Sequence, residues 1–326
     1  MNSKKRKYLI IASLAVMLVA ITTIFLVNKT LKNDTTNEES VTIPIAMAAD
    51  NNYTYPTIVS ITSILENANK NTKIKVYLMH PEDFKDENKE KISSLQTKYK
   101  NFKIEFINME DKFKNAKTDS SIPTASYYRL LLPSLLPDIK KIVWLDGDTV
   151  TLKDLSKMYK LDMSNYYYRG FLDNNVDGLK DFGIENDHYI CAGVMLINLD
   201  KLRKDNVEEK FEDFISKNNS KLIQHDQTVI NAVCYKNIGI LPPQYGIFNF
   251  WDTNAAKDHY KKLVANNKWT LKEFLKAYKD PTIIHFVVKP WKETNYTFAN
   301  IWFKYAKKTL YYEDILKKYN LDDPLK

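Results

Sequence analysis

The sequence predicts an α/β domain built on a mostly parallel sheet flanked by helices, and three observations carry that expectation. Apolar, β-branched runs alternate with helically spaced segments through the first half of the chain. One of these runs, Ile142–Leu145, has no period of two, as in a strand buried on both faces. It stops at Asp146-Gly147-Asp148, where Gly147 permits a sharp turn and lets two carboxylates converge just past the strand. That C-terminal edge is where open α/β sheets bind ligands.

Ahead of the domain, residues 1–7 form a basic tail with Lys4, Lys5, Arg6 and Lys7. Tyr8–Val27 carries no charge and has the length of a bilayer-spanning helix, longer than the apolar region of a cleaved signal peptide. A small-residue stretch, Ala46-Met47-Ala48-Ala49, lies too far downstream to serve as its cleavage site. A single-pass N-terminal membrane anchor is therefore expected, with the basic tail in the cytoplasm. Lys29 and Lys32 on the other flank weaken that bias, and the side of the folded domain is left open. Residues 28–41 are polar and read as a linker. Residues 42–326 are expected to form one domain with terminal helices from about 298, since no internal repeat or later linker is visible.

The elements follow in order. Val41–Ala49 is a first strand, and Tyr55–Ala68 a helix with Ile58, Ile61, Ile64 and Leu65 on one face and Pro56 in its first turn. Ile74–Met79 is a strand, Glu82–Lys100 an amphipathic helix and Lys103–Ile107 a third strand. Thr124–Leu136 is an apolar helix containing Arg129, followed by the central strand. Beyond it, Tyr168–Leu172, Val194–Leu199 and Ile283–Val288 read as strands. Asn206–Lys217, Asp226–Val233, Phe298–Lys308 and Glu313–Tyr319 read as helices.

Composition narrows the function. The net charge of +8 comes from lysines spread along the chain, which fits a solvated basic surface attractive to nucleotides or lipid headgroups. No specific feature points to nucleic acid. The cysteines, Cys191 and Cys234, have no metal-ligand spacing, which argues against a structural zinc site or a disulfide framework. No G-x-G-x-x-G or Walker sequence is present.

Asp146 and Asp148 suit a hard divalent cation bridging to phosphate oxygens, although Asp-Gly-Asp is also ordinary turn chemistry. His285 at the end of a late strand fits a third ligand to that cation or a hydrogen-bonded core histidine. Lys289 is placed to meet a pyrophosphate as a point charge. Asp50, Asn52 and Tyr53 follow the first strand. They fit a base and ribose site, by hydrogen bonding and stacking, or else an Asx turn with a surface tyrosine. Arg129, among apolar neighbours, must balance a carboxylate or reach a phosphate. Asp226 opens a helix as a cap or first-turn acid, or with Gln227 faces a transferred sugar.

The order of these motifs resembles glycosyltransferase family 8, the group with lipopolysaccharide galactosyl- and glucosyltransferases and glycogenin. It runs through Ala48-Ala49-Asp50-Asn51-Asn52-Tyr53, Tyr128-Arg129-Leu130, Leu145-Asp146-Gly147-Asp148, Ala192–Leu199, Asp226-Gln227, and His285 with Lys289-Pro290-Trp291. The resemblance covers roughly residues 42 to 292. It implies a Rossmann-like GT-A fold and a retaining hexosyltransferase that moves glucose or galactose from a UDP-sugar to a glycan, lipid-linked or protein acceptor. It also implies Mn²⁺, or Mg²⁺, on Asp146, Asp148 and His285. Ala48, Asp50, Asn52 and Tyr53 would hold uridine, Arg129, Gly147 and Asp173 would lie against the donor, Asp226 and Gln227 would sit near the sugar, and Lys289 would bind the diphosphate. Two departures stand out: Cys191 replaces the usual Asn or Asp before Ala-Gly, and the interval from His285 to Lys289 is short.

Two rivals remain at this stage. A haloacid dehalogenase-type phosphatase would use Asp146 as nucleophile, but three strands precede the motif and no later acidic pair is evident. A non-catalytic sugar-binding module is the other.

Overall fold

The computed structural model describes residues 40–118, 123–173, 175–184, 189–250, 254, 257 and 269–326. Its main sheet has seven strands in the order β3-β2-β1-β4-β7-β6-β8. These are β1 (Val41–Ala48), β2 (Thr72–His80), β3 (Phe102–Asn108), β4 (Lys141–Leu145), β6 (Tyr168–Leu172), β7 (Ile190–Asn198) and β8 (Ile238–Ile240). The pairs β1–β2, β2–β3, β1–β4 and β6–β8 are parallel, whereas β7 runs antiparallel to both β4 and β6. A smaller sheet in the order β5-β10-β9 comprises β5 (Thr149–Thr151), β9 (Ile247–Phe248) and β10 (Ile283–His285). The structure thus has the mixed, mostly parallel arrangement expected.

Alternation along the central strands explains how one short run fills two cores. Val143 and Leu145 of β4 join Ile43, Ile45 and Met47 of β1 against Ile58 and Ile61 of α1 (Thr54–Asn67). Ile142 and Trp144 point to the opposite face and pack with Ala46, Tyr127, Val229 and Ile230. Each fully buried aliphatic side chain of this kind contributes about 1.5–3 kcal/mol by leaving water. A third apolar cluster joins Ile284, Phe286 and Trp291 to Trp302 and Phe303 of a C-terminal helix.

Several expected elements differ in extent. The segment Glu82–Lys100 holds two helical pieces, Asp86–Ser93 (α2) and Leu95–Lys98, rather than one helix. Thr124–Leu131 is a 3₁₀ helix continued by one α turn, Leu132–Leu135, with Pro133 inside that turn. β7 starts at Ile190, four residues before its expected start, and Leu199 begins helix α3 (Leu199–Lys204) under the Asn198 side-chain cap. β10 stops at His285 because its partners β5 and β9 are only three and two residues long. The remaining helices include α4 (Val207–Asn218), α5 (His225–Cys234), α6 (Leu271–Lys279), α7 (Ala299–Ala306) and α8 (Tyr312–Tyr319). Strands β5, β8 and β9 and helix α6 were not expected.

The membrane localisation requires correction. The expected span Tyr8–Val27 lies outside the described residues, and among the described residues no helix is long and apolar enough to cross a membrane.

Candidate active site

Strand direction and register assemble a site at one edge of the main sheet. The C-terminal ends of β1, β4 and β6 deliver Ala48, Asp146 and Asp173 to this edge. Because β7 is antiparallel, its beginning, Cys191 to Gly193, arrives there too, and the Asp146 N–H donates to the Gly193 carbonyl at 2.9 Å. After the Asp-Gly-Asp turn the chain enters β5, whose Thr149 pairs with His285 of β10. The Phe286 N–H donates to the Asp148 carbonyl at 2.9 Å. This register carries a histidine more than a hundred residues distant to the side of Asp148.

Asp146, Asp148 and His285 form a cluster whose ligand atoms all lie within 4.8 Å of one another. His285 Nε2 is 3.1 Å from Asp148 Oδ1 and 3.9 Å from Asp146 Oδ2. Burial alone would raise the Asp148 carboxyl, but Lys289 and His285 outweigh it and hold the group well below the usual carboxylate range. For His285, burial opposes the charged form, yet the Asp148 carboxylate prevails and pushes the imidazole well above its ordinary value. Asp148 Oδ1 is buried, with the His285 ring nitrogen as its close partner. A buried carboxylate oxygen of this kind is costly unless a cation takes it up. Two carboxylates and one imidazole suit Mn²⁺ or Mg²⁺, so the residues present fit a divalent ion. Gly193 keeps the space clear, since a Cβ there would lie 2.3 Å from His285 Cε1 and 2.9 Å from Asp146 Oδ2.

Arg129, 4% exposed, joins the two acidic parts of the site. One end meets Asp146 Oδ1 at 3.1 Å, and Nε lies 3.0 Å from Asp226 Oδ2. A further N–H donates to the Ala192 carbonyl, Nε–H donates to the Ser126 carbonyl at 2.8 Å, and the guanidinium stacks 4.3 Å over the Trp144 ring. Burial alone would favour loss of the proton, but Asp146 and Asp226 more than offset that and keep the group charged. Of the two roles open to Arg129, the structure places it in carboxylate pairing. Burial raises the Asp226 carboxyl despite Arg129.

Gln227 is oriented by its neighbours. Its Oε1 accepts from the Ala192 N–H at 2.9 Å, which obliges its amide N–H to face Asp173 Oδ2, at 3.2 Å. Lys289 pairs with Asp148 and also donates to the Phe286 carbonyl at 3.0 Å. The loop holding it is pinned by Asn249, which exchanges hydrogen bonds with Val288 at 2.7 and 3.1 Å. Asp50 Oδ1 accepts from the Asn52 and Tyr53 N–H groups at 2.8 and 2.9 Å, an Asx turn. The Tyr53 hydroxyl donates to Asp148 Oδ2 at 3.4 Å, while its ring meets Trp291 edge-on at 6.0 Å. A Cβ at Gly147 would lie 2.7 Å from Thr57 Oγ1, so glycine is needed there for close approach to α1.

These residues line one cleft of about 500 Å³. Ala48, Asp50, Tyr53, Arg129, Gly147, Asp173, Asp226, Gln227 and Lys289 all border it with Asp146, Asp148 and His285. Asn52 does not; it is exposed, and its carbonyl takes a long contact of 3.4 Å from Lys318.

The comparisons with known proteins agree with this geometry. The family model described as glycosyl transferase family 8 matches residues 44–295. The chain belongs to that family. Among its relatives, general stress protein A of Bacillus subtilis (strain 168) is 28% identical over 278 residues, covering 81% of this chain and 93% of that protein. The lipopolysaccharide 1,2-glucosyltransferase of Escherichia coli is 27% identical over 305 residues, covering 86% and 84%. Among solved structures, the galactosyltransferase LgtC in complex with donor and acceptor sugar analogues has a TM-score of 0.70 at 20% identity, covering 82% of this chain and 96% of that one. The WbbM bifunctional glycosyltransferase also gives 0.70, at 21% identity; the match covers 86% of this chain but only 52% of WbbM. These likenesses show the GT-A fold.

Family 8 membership makes the chain a glycosyltransferase and sets aside the phosphatase reading. Asp146 Oδ1 accepts from Trp144 Nε1 at 2.7 Å and pairs with Arg129 at 3.1 Å. Sequence reasoning overlooked three contributors. Trp144 reaches Asp146 because residues two apart on a strand share a face, a signal present in the sequence. Phe248 and Phe250, stacked with ring centroids 5.5 Å apart, form part of the cleft wall and gave no such signal, because β9 is two residues long.

Proposed function

We propose that this family 8 enzyme is a retaining hexosyltransferase that takes glucose or galactose from a UDP-sugar, with Mn²⁺ or Mg²⁺ held by Asp146, Asp148 and His285. The observation that carries this reading is the grouping of two acids and an imidazole within 4.8 Å of one another on the wall of the cleft. A divalent ion bound there would neutralise charge that develops on the departing diphosphate.

The protein's own groups have separate tasks. Lys289 would exchange its contact with Asp148 for one with the diphosphate, adding positive charge where the leaving group forms. Asp50 and Tyr53, at the end of β1, would hold the uridine. Asp226, buried beside Arg129 on the wall of the cleft, would accept from a hydroxyl of the transferred sugar. Asp173 and Gln227, hydrogen-bonded to each other, line the same cleft. As the anomeric carbon–oxygen bond breaks with its electron pair going to the diphosphate, the acceptor hydroxyl bonds to the same face of that carbon. Its proton passes to the departing phosphate oxygen. Same-face attack is favoured because the Gln227 amide is a poor nucleophile and its oxygen is already engaged by Ala192. The acceptor is a glycan, a lipid-linked saccharide or a protein.

The test is a panel of UDP-sugars presented to the full chain, with release of UDP followed with and without Mn²⁺. Mn²⁺-dependent release from UDP-glucose or UDP-galactose is expected. Binding without release under all conditions would instead favour a sugar-binding module.

A further inference from the structure

Cys191 stands where the family pattern usually has Asn or Asp, and the structure gives it a neighbour. The side chain is 6% exposed and borders the cleft near the start of β7. Its Sγ lies 3.7 Å from His285 Nδ1 and accepts from the Gly193 N–H at 3.4 Å. The other ring nitrogen, Nε2, faces the acids, 3.1 Å from Asp148 Oδ1.

A histidine that ligates through Nε2 keeps its proton on Nδ1, and the partner of that N–H fixes the tautomer and the ring plane. In metal sites the partner is ordinarily a carboxylate, a backbone carbonyl or water. Here the atom beside Nδ1 is a thiol sulfur. The other side of the ring faces both acids: Asp148, 5% exposed, has its Oδ1 buried there, and Asp146 Oδ2 lies 3.9 Å from Nε2. Packing restrains the ring as well, with the Gly193 backbone against Cε1 and the Phe248 ring at 5.6 Å. Those contacts limit tilt but do not choose which nitrogen faces the acids.

We propose that Cys191 is a positioning residue for the metal site: its sulfur accepts the Nδ1–H of His285 and so holds Nε2 toward Asp146 and Asp148. This inference rests on the metal-dependent reading above. It also accounts for how the chain departs from the family pattern at residue 191 while keeping a usable histidine at 285.

The experiment is Mn²⁺ binding to the full chain without donor, read from the electron paramagnetic resonance signal of free aqueous Mn²⁺. Cys191→Val keeps the volume but removes the acceptor, and its affinity should fall about 10–100-fold, the usual cost of losing such a partner. Cys191→Ser restores an acceptor and should recover most of that affinity. If the valine variant binds like the parent, or the serine variant no better than the valine one, the proposal is overturned. A parent chain that binds no Mn²⁺ overturns the metal reading together with it. Should the variants not fold, nitrogen-15 spectra of the parent with Mg²⁺ decide: Nδ1 must carry the proton, and an unprotonated Nδ1 contradicts the assignment.

Discussion

Arg129 and Asp226 lie 3.0 Å apart in a buried ion pair that links the 3₁₀ helix before β4 to the first turn of α5. Because the same guanidinium meets Asp146 at 3.1 Å, the proposed metal site and the proposed sugar pocket share one rigid cation. A planar, permanently charged fork serves two acids at once, which a lysine cannot reproduce. Arg129→Ala leaves two acids facing each other without their cation and should destabilise the fold by about 3–5 kcal/mol. Arg129→Lys should recover part of that loss. Urea denaturation checks both, and a neutral effect of the alanine variant would contradict the arrangement.

Gly193 offers a steric test of the site that leaves every charged group in place. A methyl there meets His285 and Asp146 well inside contact distance, so one of them must shift. Gly193→Ala should therefore lose most Mn²⁺ affinity and turnover, while its circular dichroism stays that of the parent. Calorimetry with Mn²⁺ measures the first effect directly.

Gln227 tests the contact with Asp173 on the wall of the cleft. Gln227→Glu turns the hydrogen bond to Asp173, 3.2 Å in the parent, into a contact between two acids. Like charges at that range raise the affinity of one member for a proton. Activity of the variant should thus be poor at pH 8 and rise relative to the parent toward pH 5.5. A pH profile parallel to the parent's would rule out the contact.

Much of this site was legible because its residues sit at the ends of strongly patterned segments. The run Ile142–Leu145 announces a two-faced strand, and Asp146 follows it directly. His285 was harder: nothing local shows that it pairs with Thr149, because the two- and three-residue strands of the small sheet are too short to display a period. The expected helix Thr124–Leu136 was right in position but not in type, with Pro133 inside its last turn. Helix α6 could be read from the capping box Thr270-x-x-Glu273, in which both reciprocal hydrogen bonds form. The role of Cys191 was not readable, since it depends on a histidine brought in from another sheet.

Away from the site, Glu66 at the end of α1 gathers Lys308, Lys98 and Tyr99. Burial works against its charge, but these donors win and hold its carboxyl down at about 2. A carboxyl depressed in the folded state stabilises the protein above its unfolded value near 4.5, and that contribution fades as pH falls toward 2. Glu66→Gln should cost about 1 kcal/mol at pH 7, and the gap should narrow steadily as acid is added below pH 4.5. Urea midpoints measured between pH 7 and pH 3 check the sign; a gap that widens in acid would contradict it.

The most direct measurement of the central claim is Mn²⁺ titration of the parent beside Asp148→Asn and His285→Ala, with UDP release from the active donor followed in the same samples. The account predicts one Mn²⁺ per parent chain and loss of both tight binding and turnover in each variant. Parent-level Mn²⁺-dependent turnover by the Asp148→Asn enzyme would contradict it.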